Sequence, residues 1–286
     1  MFPWLDRAGR LSWLKLAVLM AVLAPGLWLA VAWWLQALGP KPVTEAIHET
    51  GDWAIRFLVA TLAVTPLRRI GAWPKLILVR RMLGLSALGY ALVHLALYAL
   101  DQAFDVTRIA SEIVLRFYLT IGFVALLGMA ALGATSTDAA VRRLGSAWHR
   151  LHRLVYAIAA LSLVHMALQS KLNVTDAVLW SGFFLLLMGH RLLQRRGAAD
   201  RSWSLPALAL GTALLTAAIE AGWYAAGTGV PGLLVLQANL DLSDIRTAWG
   251  VLAAGLVLAG IGLAREGARR ESGRGRRRGG PQPVAA

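Results

Sequence analysis

The chain of 286 residues is 58% hydrophobic and 15% charged, contains no cysteine and carries a net charge of +14. So apolar a composition excludes an ordinary soluble domain and predicts an all-α integral membrane helical bundle. Without cysteine there are no disulfides, no thiolate-held iron–sulfur clusters, no thiol catalysis and no covalent c-type haem attachment.

In chain order, the charge-free stretches Ala17–Leu35, Met82–Leu100, Phe117–Thr137, Leu154–Ser170, Ser202–Ile219 and Thr247–Ala264 each approach the roughly 17–25 residues that cross a bilayer as a helix. Two weaker stretches bring the expected number of spans to eight. Trp53–Leu67 is interrupted by Arg56 and contains Thr65-Pro66, and Ala177–His190 is short enough to need the stem of Arg191 to reach the interface. Val230–Leu240, which contains Pro231-Gly232 and ends before Asp241, is too short to cross and reads as an interfacial or re-entrant loop.

The charge reports topology rather than nucleic-acid binding. Segments 1–16, 68–81, 138–153, 191–201 and 265–286 hold 23 of the 29 Lys and Arg residues. The opposite side keeps Lys41, Arg56, Arg108, Arg116, Lys171 and Arg246, with ten of the fifteen acids: Glu45, Glu49, Asp52, Asp101, Asp105, Glu112, Asp176, Glu220, Asp241 and Asp244. Positive-inside asymmetry then places both termini in the cytoplasm. The first span follows Arg7, Arg10 and Lys15 without a small-residue cleavage site, so it reads as an uncleaved helix. Three units are expected: a six-helix core over 1–196, a two-helix membrane hairpin over 197–264 and a disordered basic tail over 265–286 that contacts anionic lipid.

No GxGxxG after a strand, P-loop, HExxH or GxSxG is present, so the chain does not itself oxidise a nicotinamide dinucleotide. Chemistry is expected inside the membrane, where ionisable residues are expensive. His94 lies thirteen residues beyond Arg81, and His165 thirteen beyond His152, so both imidazoles stand about 20 Å from the cytoplasmic end. Matching depth makes axial ligation of a b-type haem the sharper reading; helix-packing histidines are the plain alternative. His152, taken on the same helix as His165, marks an inner level that suits a second redox centre. His149 and His190 are the other histidines near that level, and His48 lies on the outer side. Arg80, Arg81, Arg150 and Arg153 form a basic rim, either solvated topology markers or contacts for propionate, flavin phosphate or a quinone headgroup. Gly84, Ser86, Ala87, Gly89 and Gly128 offer room for a flat macrocycle.

These residues carry a resemblance. Gly51-Asp52-Trp53 through Thr65-Pro66-Leu67-Arg68-Arg69, Arg80-Arg81-Met82-Leu83-Gly84-Leu85, Tyr90 to His94, Arg116-Phe117-Tyr118-Leu119-Thr120, Thr135-Ser136-Thr137 and Trp148 to His165 resemble the MsrQ haem-binding membrane subunits of periplasmic methionine sulfoxide reductase systems. Those subunits fall within the ferric-reductase-like transmembrane superfamily. The resemblance covers about residues 8–196 and assigns the haem-associated histidines to His94, His152 and His165. It implies b-type haem, one or two per chain, and FMN. It implies a quinol or flavin reductase as donor, a periplasmic molybdopterin-containing subunit as acceptor, and a place in the bacterial inner membrane. The spans after Arg201 depart from the six-helix pattern and read as an appendage, because neither contains His, Met or Tyr. A ferric-reductase or b561-like enzyme acting on a small extracellular acceptor, and a transporter or scaffold with packing histidines, stand as alternatives.

Overall fold

The computed structural model describes residues 3–5, 9–171, 173–199, 201–241 and 245–278, with side chains described as far as Arg265. Arg7, Asp244 and the end of the basic tail from 279 lie outside the described residues. The molecule is all-helical: α1 Trp13–Trp34, α2 Pro42–Ile70, α3 Arg80–Asp101, α4 Val106–Leu115, α5 Phe117–Ala134, α6 Asp138–Leu144, α7 Ser146–His152, α8 Val155–Gln169, α9 Thr175–Arg195, α10 Ser204–Thr228, α11 Gly232–Ala238 and α12 Thr247–Arg278.

Among the described residues, seven helical stretches are long and apolar enough to cross a membrane: α1, residues 74–101 ending in α3, α5, residues 146–169 formed by α7 and α8 together, α9, α10, and α12 as far as Arg265. The eighth expected span, Trp53–Leu67, lies within α2 but lacks the all-round apolar character of the others. The reason is position. At 29 residues α2 is about 43 Å long, packs most extensively on α3 and also touches α8 and α9. Ile55, Phe57, Leu58, Val59 and Leu62 are buried in the main core. A helix enclosed by its neighbours meets little lipid, so α2 can carry Asp52 and Arg56 toward its middle as well as Arg68 and Arg69 in its last turn.

Side-chain contacts tie the ends of the bundle. At the basic end, Arg69 donates to Gln194 at 2.7 Å and Arg81 pairs with Asp138 at 2.7 Å. At the acidic end, Arg56 stands 3.8 Å from Asp52 and 3.7 Å from Asp176. Between them, Pro25 interrupts α1, and the Tyr90 hydroxyl enters the gap: it donates to Val22 O at 2.8 Å and accepts from Gly26 N at 2.8 Å. Gly26 would otherwise bond Val22 directly, so Tyr90 of α3 is spliced into the hydrogen-bond ladder of α1.

The C-terminal hairpin is less separate than its sequence implies. It packs on α9 through glycine: a Cβ on Gly182 would lie 2.5 Å from Val251 Cγ2 and 2.6 Å from Thr216 Oγ1, the close approach that small residues allow between membrane helices. The Val230–Leu240 segment is a short helix, α11, anchored by polar contacts. Glu220, 4% exposed, accepts from Asn239 Nδ2 and from Arg246 Nη1 at 3.0 Å each. Where a disordered tail is expected, α12 continues as helix to Arg278.

Candidate functional site

His94 on α3 and His165 on α8 face each other, with ring centroids 6.3 Å apart and ring planes at 86°. Each ring is fixed through Nδ1, which donates to a backbone carbonyl: His94 to Ile47 at 2.8 Å and His165 to Tyr118 at 2.8 Å. A carbonyl only accepts, so both Nδ1 atoms carry hydrogen and both Nε2 atoms keep a lone pair. Such anchoring of the distal nitrogen is how ligating histidines are oriented.

Behind each ring lies a glycine that sequence reasoning missed. A Cβ on Gly51 would meet His94 Nδ1 at 3.0 Å, and one on Gly122 would meet His165 Nδ1 and Cε1 at 2.7 Å. Each glycine follows the accepting carbonyl by four residues, and each histidine follows its carbonyl by 47. One device is therefore used twice, by α2 with α3 and by α5 with α8. Of the small residues expected to make room, Gly84 approaches Thr61, Gly128 approaches Ile158 and a Cβ on Gly89 would meet nothing within 4 Å, and none of the five lines the cavity the rings face.

The rings look onto a cavity of about 850 Å³, within the range of cofactor sites. Its wall toward the middle of the bundle is apolar, and its acidic end carries His48, Asp52, Lys171 and Asp176. His48 thus belongs to the cavity. Asp52 stands just outside the apolar stretch from Trp53; burial pushes its carboxyl up from 3.8 to about 6, opposed by Arg56 and assisted by Asp176 and Glu49.

The remaining expected site residues lie elsewhere. His152 ends α7, and a tightened turn at Arg153 and Leu154, both in right-handed helical conformation, leads into α8, so His152 and His165 share one span, residues 146–169, with a local irregularity between them. It stacks on Trp148 at 3.9 Å, and its Nε2 is 3.1 Å from Thr135 Oγ1. Arg80 is near enough to act on it electrostatically. Arg81 is paired with Asp138, and Arg153 is exposed at the end of α7. None of His152, Arg80, Arg81 and Arg153 lines the cavity between His94 and His165. Arg191, unmarked in the sequence except as an interfacial stem, donates to Leu62 O at 2.7 Å and covers the Tyr156 ring at 5.1 Å.

Two imidazoles with free Nε2 atoms suit an axial pair. Iron–nitrogen bonds of about 2 Å and about 1 Å more from each nitrogen to its ring centre separate the centroids by roughly 6 Å, which the observed 6.3 Å matches. Among the described residues no cluster of three or more His, Asp or Glu could hold a metal ion.

Comparison with known proteins places the bundle in a family. A family model described as ferric reductase like transmembrane component matches residues 50–163. The chain is 44% identical over 191 residues to the protein-methionine-sulfoxide reductase heme-binding subunit MsrQ of Xanthomonas campestris pv. campestris (strain 8004), covering 64% of this chain and 88% of that protein. The subunit of the same name from Polaromonas naphthalenivorans (strain CJ2) is 39% identical over 210 residues, covering 70% and 95%. That from Azospira oryzae (strain ATCC BAA-33 / DSM 13638 / PS) is 39% identical over 189 residues, covering 65% and 81%. No solved structure matches the chain. With paired imidazoles in a ferric-reductase-like bundle and this identity over most of the relatives' length, the chain belongs to the MsrQ family of protein-methionine-sulfoxide reductase heme-binding subunits.

Proposed function

We propose that the chain is the membrane electron-transfer subunit of a protein-methionine-sulfoxide reductase system, and that His94 and His165 hold a b-type haem in the half of the bundle nearer its acidic end. The observation that carries the reading is the pair of facing imidazoles, each with Nδ1 committed to a carbonyl and Nε2 left to coordinate. Bound there, the haem supplies one-electron redox chemistry. The chain's own part is to fix both rings, exclude water from the apolar wall and set the charge around the site.

The basic end is cytoplasmic in this reading, by the same charge asymmetry that orients membrane helices, in a bacterial inner membrane with both termini inside. Electrons enter there from the quinone pool or a cytoplasmic flavin reductase. His152 and Arg80 mark that entry level, with Arg81 and Arg153 on the same rim, and it is where FMN or a second haem would bind. Electrons leave at the acidic end to a periplasmic molybdopterin-containing subunit that repairs methionine sulfoxide.

The test is a redox-titrated optical spectrum of the purified chain with pyridine haemochrome quantification. A b-type signal lost in both His94→Ala and His165→Ala supports the assignment; unchanged haem content and reduction kinetics in both variants refute it. Because the family model bears a ferric-reductase description, ferric-chelate reduction without any periplasmic partner is the rival activity to assay alongside.

A further inference from the structure

The cavity between His94 and His165 is polar at one end only. Its wall toward the middle of the bundle is Ala54, Ile55, Ala91, Leu126 and Met129. Ser162, the polar residue there, already donates to Ile158 O at 2.9 Å. A macrocycle ligated by imidazoles from α3 and α8 would stand roughly parallel to the helices, and its carboxylate arms could then reach one end of the bundle. Charged carboxylates against the apolar wall would lose hydration with no partner in return. They belong at the acidic end, where the polar lining lies.

That end is acidic by composition, and the two carboxylates on the cavity wall have one cation between them. Asp52 and Asp176 share the Arg56 guanidinium, at 3.8 and 3.7 Å. Apart from the two facing imidazoles, the basic residues on the cavity wall are His48 and Lys171. Among the described residues no carboxylate is paired with Lys171. Lys171 follows the C-cap of α8 with φ of +47°, the left-handed turn in which many helices end. Its carbonyl accepts from Trp223 Nε1 on α10 at 3.3 Å. The hairpin that contains no ligand thus reaches the mouth of the ligand cavity.

We infer that Lys171, positioned by Trp223 of the C-terminal hairpin, is the counter-cation for the carboxylate arms of the haem between His94 and His165, and that those arms face the acidic end. The inference rests on the haem reading above and adds an orientation, a positioning residue and a role for the two added spans. A cation beside the site disfavours the ferric state, which carries one more positive charge than the ferrous state, so it raises the midpoint potential.

The experiment compares full-length wild type, Lys171→Arg, Lys171→Gln, Lys171→Glu and Trp223→Phe. Haem content is measured by pyridine haemochrome, and potential by titration of the haem that His94→Ala removes. Lys171→Arg should keep the wild-type potential, Lys171→Gln should lower it and Lys171→Glu should lower it further. Trp223→Phe should shift it the same way by less. Should Lys171→Glu fail to bind haem, Lys171→Gln carries the comparison. Reconstitution with haem dimethyl ester, whose arms are uncharged, should shrink the difference between wild type and Lys171→Gln. Equal potentials at full haem content, or a difference undiminished with the ester, overturn the inference; an unmoved Trp223→Phe overturns the hairpin's part in it. A wild-type chain without b-type haem would instead refute the underlying reading.

Discussion

Gly122→Ala is a one-carbon change that the site should not tolerate. The added Cβ would stand 2.7 Å from His165 Nδ1 and Cε1 and 3.0 Å from Cγ, closer than carbon atoms pack. The ring cannot swing aside freely, because Nδ1 is bound to Tyr118 O at 2.8 Å on the same helix turn. Overpacking costs about 1–3 kcal/mol, and displacing the ring forfeits a hydrogen bond of about 1 kcal/mol net. Alanine returns up to about 1 kcal/mol of helix propensity. The balance, about 2 kcal/mol against the ligating geometry, corresponds to roughly a thirtyfold loss of haem affinity, in the range seen when ligand-orienting contacts are removed. Gly51→Ala, with contacts of 3.0 and 3.2 Å to His94, should cost less. Gly89→Ala, facing open space, is the control. Haem-to-protein ratio under limiting haem is the assay. Wild-type retention in Gly122→Ala, or equal losses in Gly122→Ala and Gly89→Ala, would refute the reasoning.

Tyr90→Phe removes the hydroxyl spliced between Val22 and Gly26 and should lower stability by about 1–2 kcal/mol, seen as a lower melting temperature in detergent with an unaltered haem spectrum. Gly182→Val, beside Val251 and Thr216, should push α10 and α12 off α9 and cost about 2–3 kcal/mol; a melting temperature equal to wild type would show the hairpin to be an independent appendage. Asp52 binds its proton more tightly in the folded chain, with a pKa raised from 3.8 to about 6. It is therefore neutral below and anionic above that value, and the midpoint potential of the neighbouring haem should fall as pH rises through about 6. Asp52→Asn should flatten that step, as measured by titrating the potential between pH 5 and pH 7.

Much of this architecture is legible in the sequence, for reasons particular residues make plain. Spans such as Phe117–Ala134 declare themselves because lipid demands unbroken apolarity. His94 and His165 stand out because an imidazole inside such a span needs a reason. Trp53–Leu67 gives a weak signal for the opposite reason: α2 is enclosed by helices, and enclosure relaxes the demand. Gly51 and Gly122 were hidden among many membrane-helix glycines, and only the three-dimensional approach of the rings singles them out. The turn after His152 carries no proline or glycine and keeps helical dihedrals, so nothing in the local sequence marks where α7 gives way to α8. The hairpin's grip on α9 depends on Gly182 meeting Val251 and Thr216, contacts between residues far apart in the chain.

Two nearly perpendicular imidazoles, at 86°, are proposed here as the axial ligands of one b-type haem. Low-temperature electron paramagnetic resonance of the oxidised protein tests this assignment most directly. The expected spectrum is a highly anisotropic low-spin ferric signal, as perpendicular axial imidazoles produce, that disappears in both His94→Ala and His165→Ala. A low-spin signal that survives unchanged in either variant, or a wild-type signal that is high-spin only, would contradict it.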